Sequence, residues 1–296
     1  MTKVCLTFDV DLLDFISGKP YDELKSSIPI LKDAFETFSD IKTTWFIRID
    51  RHCEKTMGDY KYALTKYSSW FDWLRDNGHE IGWHHHGFQR KNNKWIPIND
   101  KQKLLEEIKF YGNIARSLEL NISRMGWGQQ TNESIAVLND LGFKIDSSAI
   151  PRPNYSWNKF PLKDWSTTTN HIYNPSKSDY RTESSDNYEI YELPITTVEL
   201  PMETDSDQGV KRYINPAYHP EIFCRSLKTL KNSALSEQGD LIVTTITHPY
   251  EITDIGVSNS QISFNHKAFI ENLSTLRNNF NNFLTISHAA TSFINS

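Results

Sequence analysis

The sequence predicts an α/β protein built around a parallel sheet. Short apolar runs of strand length alternate with longer stretches whose apolar residues recur every three or four positions. Alternation of this kind produces parallel strands joined by right-handed crossovers. The chain has 296 residues, of which 38% are hydrophobic and 12% aromatic. This composition supplies a sizeable core and fits a single α/β barrel, although the length alone would also permit two domains.

Eight segments are predicted as strands. Each is a short run of mainly apolar and β-branched residues bounded by polar or turn-forming residues. The segments are Lys3–Asp9, Thr43–Ile49, His79–His84, Ser123–Trp127, Phe143–Ser147, Glu189–Thr196, Asp240–Thr247 and Phe283–Ser287.

The stretches between several of these strands predict helices. In Asp22–Phe38, for example, Leu24, Ile28, Leu31 and Phe35 recur at spacings of three and four, which places them on one helix face. The other segments with this periodicity are Lys101–Leu118, Asn132–Leu141, Glu221–Leu235 and Asn265–Asn279.

One long segment, residues 146–187, shows neither period. It is rich in Pro, Asn, Ser, Tyr and Trp. A structureless run of this length inside a compact domain is either misread or functional, and we interpret it as an irregular insertion over one mouth of the barrel that shapes a ligand cleft. A surface loop without a role is the equally valued alternative. No repeat or composition shift divides the chain, so we predict one catalytic barrel domain over residues 1–296.

Composition disfavours several functional classes. The net charge is −5, with no basic surplus to neutralise nucleic-acid phosphates. The three cysteines, Cys5, Cys53 and Cys224, form no CxxC pair, which argues against a disulfide framework or a zinc–thiolate site. No segment approaches the roughly 18 apolar residues of a membrane span, and the amino-terminal residues lack the apolar core of a signal peptide. We therefore expect a cytoplasmic protein; the sequence does not indicate its oligomeric state.

Two aspartates follow the first predicted strand. Asp9 and Asp11 are two residues apart, so on extended chain their side chains share a face. They lie where an apolar strand ends, which is the ligand-binding edge of parallel α/β folds. Two carboxylates this close need a compensating cation, and a metal ion would supply one. A turn or a helix cap is the ordinary alternative for such a pair.

Three consecutive histidines end the third predicted strand. Imidazole is the commonest protein ligand for zinc, and a carboxylate can complete a three-ligand site that leaves room for water. On extended chain His84 and His86 share a face and His85 points away. His79, in the same motif, is expected to support the strand. The alternative is that the histidine run is a chance occurrence without a ligand role.

In chain order, these motifs resemble those of the polysaccharide deacetylases, carbohydrate esterase family 4, also called the NodB-homology domain. The order Thr-Phe-Asp-x-Asp, Thr-Thr-Trp-Phe and Gly-His-Glu-Ile-Gly-x-His carries the resemblance. Arg-Met-Gly-Trp-Gly, Leu-Gly-Phe-x-x-Asp-Ser-Ser, Leu-Pro and Thr-His-Pro continue it, so that it spans Thr7 to His248. The run Gly-Trp-His-His-His looks like that of deacetylase-like proteins from surface-polysaccharide clusters such as those for O-antigen.

The resemblance implies a distorted (β/α)7-8 barrel and a divalent metal, usually Zn²⁺, held by one Asp and two His. It also implies hydrolysis of an N-acetyl group on an amino sugar. By position, Asp9 matches the catalytic base and Arg124 the arginine that orients it, and His248 matches the general acid. Asp11 and His84 match two of the metal ligands.

The chain departs from the family pattern at two places. The second metal histidine usually lies four residues after the first, but Phe88 stands there. We propose His86 in its place, with His85 possible if the segment bends. The Pro and Tyr of the usual Arg-x-Pro-Tyr motif are missing, which leaves the oxyanion support and the sugar groove open. Asp146 or Asp164 is the expected carboxylate partner of His248, and Trp165 is a candidate wall of the acetyl pocket.

These features predict a zinc-dependent N-deacetylase that acts on a carrier-linked or oligosaccharide amino sugar in surface-polysaccharide biosynthesis. Two alternatives stand beside it. One is a related amidase or deformylase of the same superfamily. The other is a glycan-binding protein that keeps the fold without turnover, which the displaced histidine would suit.

Overall fold

The computed structural model describes residues 2–12, 22–152, 162–202, 205, 209–234, 241–253 and 266–294. The strands in these ranges are β1 (Lys3–Val10), β2 (Thr43–Arg48), β3 (Glu80–His85), β4 (Phe88–Lys91), β5 (Lys94–Pro97), β6 (Ile122–Met125), β7 (Ile145–Asp146), β8 (Tyr191–Glu192), β9 (Thr197–Glu199), β10 (Lys211–Tyr213) and β11 (Ile242–Thr244). The helices are α1 (Glu23–Thr37), α2 (Arg51–Met57), α3 (Tyr62–Lys66), α4 (Ser68–Asp76), α5 (Lys101–Ser117), α6 (Asn132–Asp140), α7 (Pro220–Ala234), α8 (His266–Asn279) and α9 (Ile286–Ile294).

Seven strands form one curled, parallel sheet in the order β11-β1-β2-β3-β6-β7-β8. Beyond β8, the chain reaches the opposite edge, where the Thr196 N–H donates to the Thr244 carbonyl at 2.9 Å. The remaining strands form two short antiparallel pairs, β4 with β5 and β9 with β10. This arrangement is a distorted barrel, and it confirms the predicted α/β fold class.

The inside of the barrel is divided between an apolar end and a polar end. At the amino-terminal ends of the strands, helix α9 closes the barrel: the Ile286 N–H donates to Thr44 Oγ1, and the Ser287 N–H to Glu80 Oε2. The apolar residues that pack with α9 from the strands, or from the position directly after β8, are Cys5, Phe46, Ile122, Ile145, Leu193 and Ile242. Because α9 fills this end, the carboxyl ends of the strands are left for polar groups.

The bounds of the predicted helices are confirmed to within a residue or two. Polar residues cap the amino-terminal ends of two of these helices. Asp22 caps α1 by accepting the Lys25 N–H, and Thr131 caps α6 by accepting the Ser134 N–H. The apolar faces of these helices pack on the outside of the sheet in one large core cluster. Leu235, Asp240 and Asn265, each the predicted end of an element, lie outside the described residues.

Several predicted strands are shorter in the structure, and one is wrong. Phe283 forms only an isolated bridge with Val4, and helix α9 begins at Ile286 within the predicted Phe283–Ser287 strand. The physical reason is that Ile286, Ala289 and Ala290 recur at helical spacing and are all buried.

The predicted insertion forms no helix in its described parts, residues 146–152 and 162–187; residues 153–161 lie outside them. Isolated bridges tie it together, Tyr173 with Glu192 and Ser176 with Asn187. With the start of α6, it lines a cleft of about 670 Å³ that includes Gln130, Lys163 and Arg181. Within the described residues, no helix has the length and apolar character needed to cross a membrane.

Candidate metal and catalytic site

The carboxyl ends of β1, β2, β3 and β6 bring the candidate residues to one side of the sheet. His84 lies in register with Arg48 on one neighbouring strand and with Arg124 on the other. Asp9 lies in register with Phe46, which belongs to the core inside the barrel. Since paired residues of parallel strands point to the same face, these side chains converge inside the barrel. All four polar residues are buried.

Asp11, His84 and His86 form a group that can hold a metal ion. The Nε2 atoms of the two histidines are 2.9 Å apart. Asp11 Oδ1 lies 3.1 Å from His86 Nε2 and 3.5 Å from His84 Nε2. Ligand atoms around a tetrahedral Zn²⁺ with bonds of 2.0–2.1 Å are about 3.3 Å apart, so the three atoms have suitable spacing. Asp11 Oδ1 is buried and has no hydrogen-bond partner among the described residues. A bound cation would compensate for this missing partner.

The protonation of this group also suits a cation. His84 Nδ1–H donates to the Arg124 carbonyl at 2.9 Å, which leaves the Nε2 lone pair directed at the group. Burial and the nearby Arg48 guanidinium lower the pKa of His86 to about 3, so its imidazole is neutral. Burial would raise the pKa of Asp11, but the imidazoles of His86 and His84 outweigh it and hold that pKa well below its usual value. The neutral imidazole of His86 and the carboxylate of Asp11 are the forms in which these groups bind a metal.

His85 points away from the group, as strand alternation predicts. Its ring lies 5.3 Å from the ring of Trp83 and 6.2 Å from that of Tyr111, in the layer between sheet and helices. His86, one residue beyond β3, turns inward again. Its ring contacts Trp127 edge-on with centroids 4.5 Å apart, and a Cβ at Gly126 would lie only 2.3 Å from it. The missing side chain at Gly126 therefore makes room for the His86 ring.

Asp9 lies beside the metal group and is held by Arg124. Arg124 Nη1 donates to Asp9 Oδ1 at 2.8 Å and to Thr7 Oγ1 at 2.7 Å. The guanidinium is itself fixed by Ser147, whose carbonyl accepts from Nε at 2.8 Å and whose hydroxyl accepts from Nη2 at 2.9 Å. The other carboxylate oxygen, Asp9 Oδ2, lies 3.9 Å from His84 Nε2. Asp9 thus has one oxygen bound by arginine and one near the group.

His248 approaches the group from the chain that follows β11, the strand next to β1. Its Nε2 lies 3.7 Å from Asp11 Oδ2, and its Nδ1 lies 3.4 Å from Glu251 Oε2. The same Glu251 oxygen accepts hydrogen bonds from the backbone N–H of His248 and from the side-chain amide of Asn215, both at 2.8 Å. Burial alone would lower the pKa of His248, but the carboxylates of Glu251, Asp11 and Asp9 raise it to about 10. His248 therefore carries a proton at neutral pH.

The carboxylate beside His248 is thus Glu251, and the expectation of Asp146 or Asp164 is wrong. Asp146 accepts hydrogen bonds from Ser123 and Gln130 on the outer side of the sheet, and Asp164 pairs with Arg181. The signal for Glu251 was local: it follows His248 by three residues, the spacing at which a side chain can reach back to a helix start.

Glu23, at the start of α1, was also missed. Its Oε1 accepts the Asp11 N–H at 2.6 Å and the Leu12 N–H at 3.1 Å, and its Oε2 accepts the Tyr250 N–H at 3.4 Å. It therefore joins the end of β1 to the loop that follows His248. Burial and the Asp11 charge raise the pKa of Glu23 to about 8. A glutamate in the first turn of a helix gives no sequence signal for this role, because first-turn acids are common.

Trp165 lies next to this region without entering it. Its Nε1 donates to the Gly128 carbonyl at 2.8 Å, and its ring packs edge-on against Tyr180. Its predicted place in an acetyl pocket stays a prediction. None of the candidate metal or catalytic residues is among the described residues that line the insertion's cleft.

Comparisons with known proteins agree with the fold. A proposed polysaccharide deacetylase from Mycobacterium smegmatis superposes with a TM-score of 0.53 at 14% identity, over 98% of this chain and 90% of that one. A 4-alpha-glucanotransferase from Thermococcus litoralis gives a TM-score of 0.52 at 12% identity, over 99% of this chain but only 38% of that one. A proposed O-antigen polysaccharide deacetylase from Bordetella bronchiseptica gives 0.39 at 14% identity, over 92% of this chain and 89% of that one. The sequence matches no protein-family model and no curated protein.

At this level of identity the likeness concerns the fold alone. The chain is an α/β protein with the distorted barrel found in a proposed polysaccharide deacetylase. Within that barrel it carries a buried Asp-His-His group able to bind a metal ion.

Proposed function

We propose that this protein is a metal-dependent hydrolase that removes an N-acetyl group from an amino sugar, either carrier-linked or part of an oligosaccharide. The observation that carries the proposal is one cluster in which a potential metal group lies beside an arginine-held carboxylate, Asp9, and a protonated imidazole, His248. Amide hydrolysis needs these three components. Zn²⁺ is the proposed ion, and the role in surface-polysaccharide biosynthesis rests on the sequence resemblance alone.

Asp11, His84 and His86 would hold the ion. When bound, a divalent metal lowers the pKa of a water molecule and polarises a carbonyl group. Three protein ligands would leave a coordination position of the ion open for water or substrate, and Asp9 and His248 lie beside the group.

Asp9 has the position of a general base. Its Oδ1 is bound by Arg124, and its Oδ2 is turned toward the metal group, so Oδ2 is the atom that would accept the proton of the attacking water. Arg124 pairs with the Asp9 carboxylate and fixes its orientation. Because Ser147 holds the guanidinium at two atoms, the base is preorganised by contacts from β1, β6 and the residue after β7.

His248 has the position of a general acid. It is protonated at neutral pH and its Nε2 faces the group, whereas its Nδ1 faces Glu251. Proton donation from Nε2 to the nitrogen of the departing amine would complete the hydrolysis, and a positioned acid of this kind contributes roughly 10²- to 10⁴-fold in rate. Glu251 stabilises the imidazolium and fixes the ring through the backbone of the same loop.

The metal assignment can be tested with a matched pair of variants. His86→Phe and His85→Phe each replace one buried imidazole with a ring of similar size. We expect purified His86→Phe, like Asp11→Ala and His84→Ala, to lose bound zinc in elemental analysis, and His85→Phe to retain it. Equal zinc content in the two phenylalanine variants would refute the assignment of His86.

The catalytic assignment needs a separate readout. Acetate release is measured from N-acetylglucosamine in free, nucleotide-linked and oligosaccharide form. Asp9→Asn should keep its zinc and lose turnover on every substrate that the wild type deacetylates. A wild-type protein that binds zinc and releases formate, but not acetate, would indicate the related deformylase. Binding of these sugars without any release would indicate a glycan-binding protein.

A further inference from the structure

A second buried polar cluster lies directly beside the metal group. It consists of Arg48, Asp50 and His52, at the end of β2 and the start of α2, and none of the three exposes more than 1% of its surface. Arg48 Nε donates to Asp50 Oδ2 at 2.5 Å, and Arg48 Nη2 lies 3.0 Å from His52 Nδ1. A fully buried ion pair is costly to desolvate, so its presence next to the site calls for a reason beyond stability.

Both carboxylate oxygens of Asp50 accept hydrogen bonds from backbone N–H groups. Its Oδ1 accepts the Cys53 N–H at 2.8 Å, which caps helix α2, and its Oδ2 accepts the His86 N–H at 3.3 Å. Burial would raise the pKa of Asp50, but the Arg48 guanidinium outweighs it and lowers the pKa to about 2. The carboxylate is therefore ionised, and it links the first residue beyond β3 to the amino-terminal end of α2.

His86 needs such a link because it lies outside the sheet. Strand β3 ends at His85, and the chain turns immediately afterwards, where the Phe88 N–H donates to the His86 carbonyl at 2.9 Å. Within β3 the ladder fixes the backbone, but at His86 the carboxylate of Asp50 takes the place of a strand partner. Phe88 closes the other side: its ring is parallel to that of His86 and lies 5.3 Å from the Arg48 guanidinium.

We propose that Asp50, held in place by Arg48, is the positioning residue that makes His86 a metal ligand. The proposal rests on the metal-dependent function above and assigns a role to residues outside the ligand set. A ligand on irregular chain must be held to within a few tenths of an ångström to bind a metal well. Asp50 fixes the backbone of His86, and Gly126 and Trp127 define the place of its ring.

The test is Asp50→Asn, with Asp205→Asn as the matched control. The amide has the shape of the carboxylate but only one accepting oxygen, so either the Cys53 N–H or the His86 N–H loses its partner. Asp205 also accepts a backbone N–H, from Met202, and pairs with an arginine, Arg212. Its hydrogen bonds are in the β9–β10 hairpin, and none involves a proposed metal ligand. Folding of both variants is checked by circular dichroism.

The Zn²⁺ dissociation constant is measured by competition with a chromogenic chelator, and the ligand field is followed by the absorption of bound Co²⁺. We expect Asp50→Asn to bind Zn²⁺ about 10- to 100-fold more weakly and to show an altered Co²⁺ spectrum. Asp205→Asn should match the wild type in both measurements. Excess Zn²⁺ should restore the deacetylase activity of Asp50→Asn without a change in KM, which a general loss of structure would not allow.

If Asp50→Asn fails to fold, the double variant R48M/D50L is used, because it leaves no unpaired buried charge. It should show the same loss of Zn²⁺ affinity. Folded Asp50→Asn or R48M/D50L protein that binds Zn²⁺ as tightly as the wild type overturns the proposal. A wild type that binds no metal refutes the proposed function instead, so the two failures are distinguishable.

Discussion

A single added methyl group at Gly126 should weaken metal binding. In the structure, a Cβ at this position would lie 2.3 Å from both Nδ1 and Cε1 of His86. Ordinary contacts between such atoms are about 3.5 Å, so the ring or the loop must move by roughly 1 Å. Gly126 has no left-handed backbone angle, and the strain of Gly126→Ala therefore comes from this contact alone.

The consequence follows from the spacing of the ligand atoms. His86 Nε2 lies 3.1 Å from Asp11 Oδ1, and metal–ligand distances tolerate only about 0.2 Å of error. A ring displaced by about 1 Å cannot keep that geometry. We expect the Zn²⁺ dissociation constant to rise about 10- to 100-fold, a loss of the size found when a supporting contact of a ligand is removed. Overpacking should also lower the free energy of unfolding by about 1–3 kcal/mol.

Chelator competition measures the affinity, and urea denaturation of the metal-free protein measures the stability. Gly58→Ala is the control, because Gly58 has a φ of 76° and a Cβ there would have no atom within 4 Å. That variant should lose stability through backbone strain and keep its metal affinity. Wild-type Zn²⁺ affinity in folded Gly126→Ala would refute the placement of the His86 ring.

Three further predictions concern buried charges. Glu251→Gln removes the charge that raises the pKa of His248 to about 10, so the alkaline limit of the rate should move to lower pH by roughly one unit or more; an unchanged pH profile would contradict the role of Glu251. Burial and Asp146 raise the pKa of Glu192 well above its usual value, so the folded protein keeps a proton that the unfolded chain releases above about pH 4.3. The free energy of unfolding should therefore fall by up to about 1.4 kcal/mol per pH unit as pH rises toward the folded-state pKa. Urea denaturation at mildly acidic and at alkaline pH measures this loss, and the Glu192→Gln variant should not show it. Arg124→Met leaves the buried Asp9 carboxylate without its ion-pair partner, which should lower the free energy of unfolding by about 3–5 kcal/mol in the same assay. A decrease below about 1 kcal/mol would contradict this prediction.

Local periodicity accounts for most of the fold that could be predicted. The helix α1 was evident because Leu24, Leu31 and Phe35 recur at helical spacing, and a cap precedes them. The prediction of a strand over Phe283–Ser287 was wrong because Phe283, Thr285 and Ile286 are residues common in strands, whereas the helical spacing becomes apparent only further along the chain. A short apolar run satisfies both periods, and its packing partner decides between them.

The candidate site, too, could be predicted only in part from the sequence. Asp9 and Asp11 share a face because strand side chains alternate, and so do His84 and His86; this is a property of the chain itself, visible without any structure. The family resemblance added Arg124 and His248 as partners. Neither source could show that the four segments meet, because strand order is a property of the whole sheet.

The sequence by itself determined the fold class, the helix faces and the candidate residues of the site, because each depends on the spacing of neighbours along the chain. Only the tertiary structure decided which buried carboxylates serve them: Glu23 at the Asp11 backbone, Asp50 at the His86 backbone and Glu251 beside His248. The local sequence does not distinguish Glu23 or Asp50 from ordinary acids at a helix start, and the three-residue spacing of Glu251 from His248 is also that of a helix cap. Their roles arise from burial next to a neighbour's backbone or ring, where a polar oxygen without a donor would be too costly to keep.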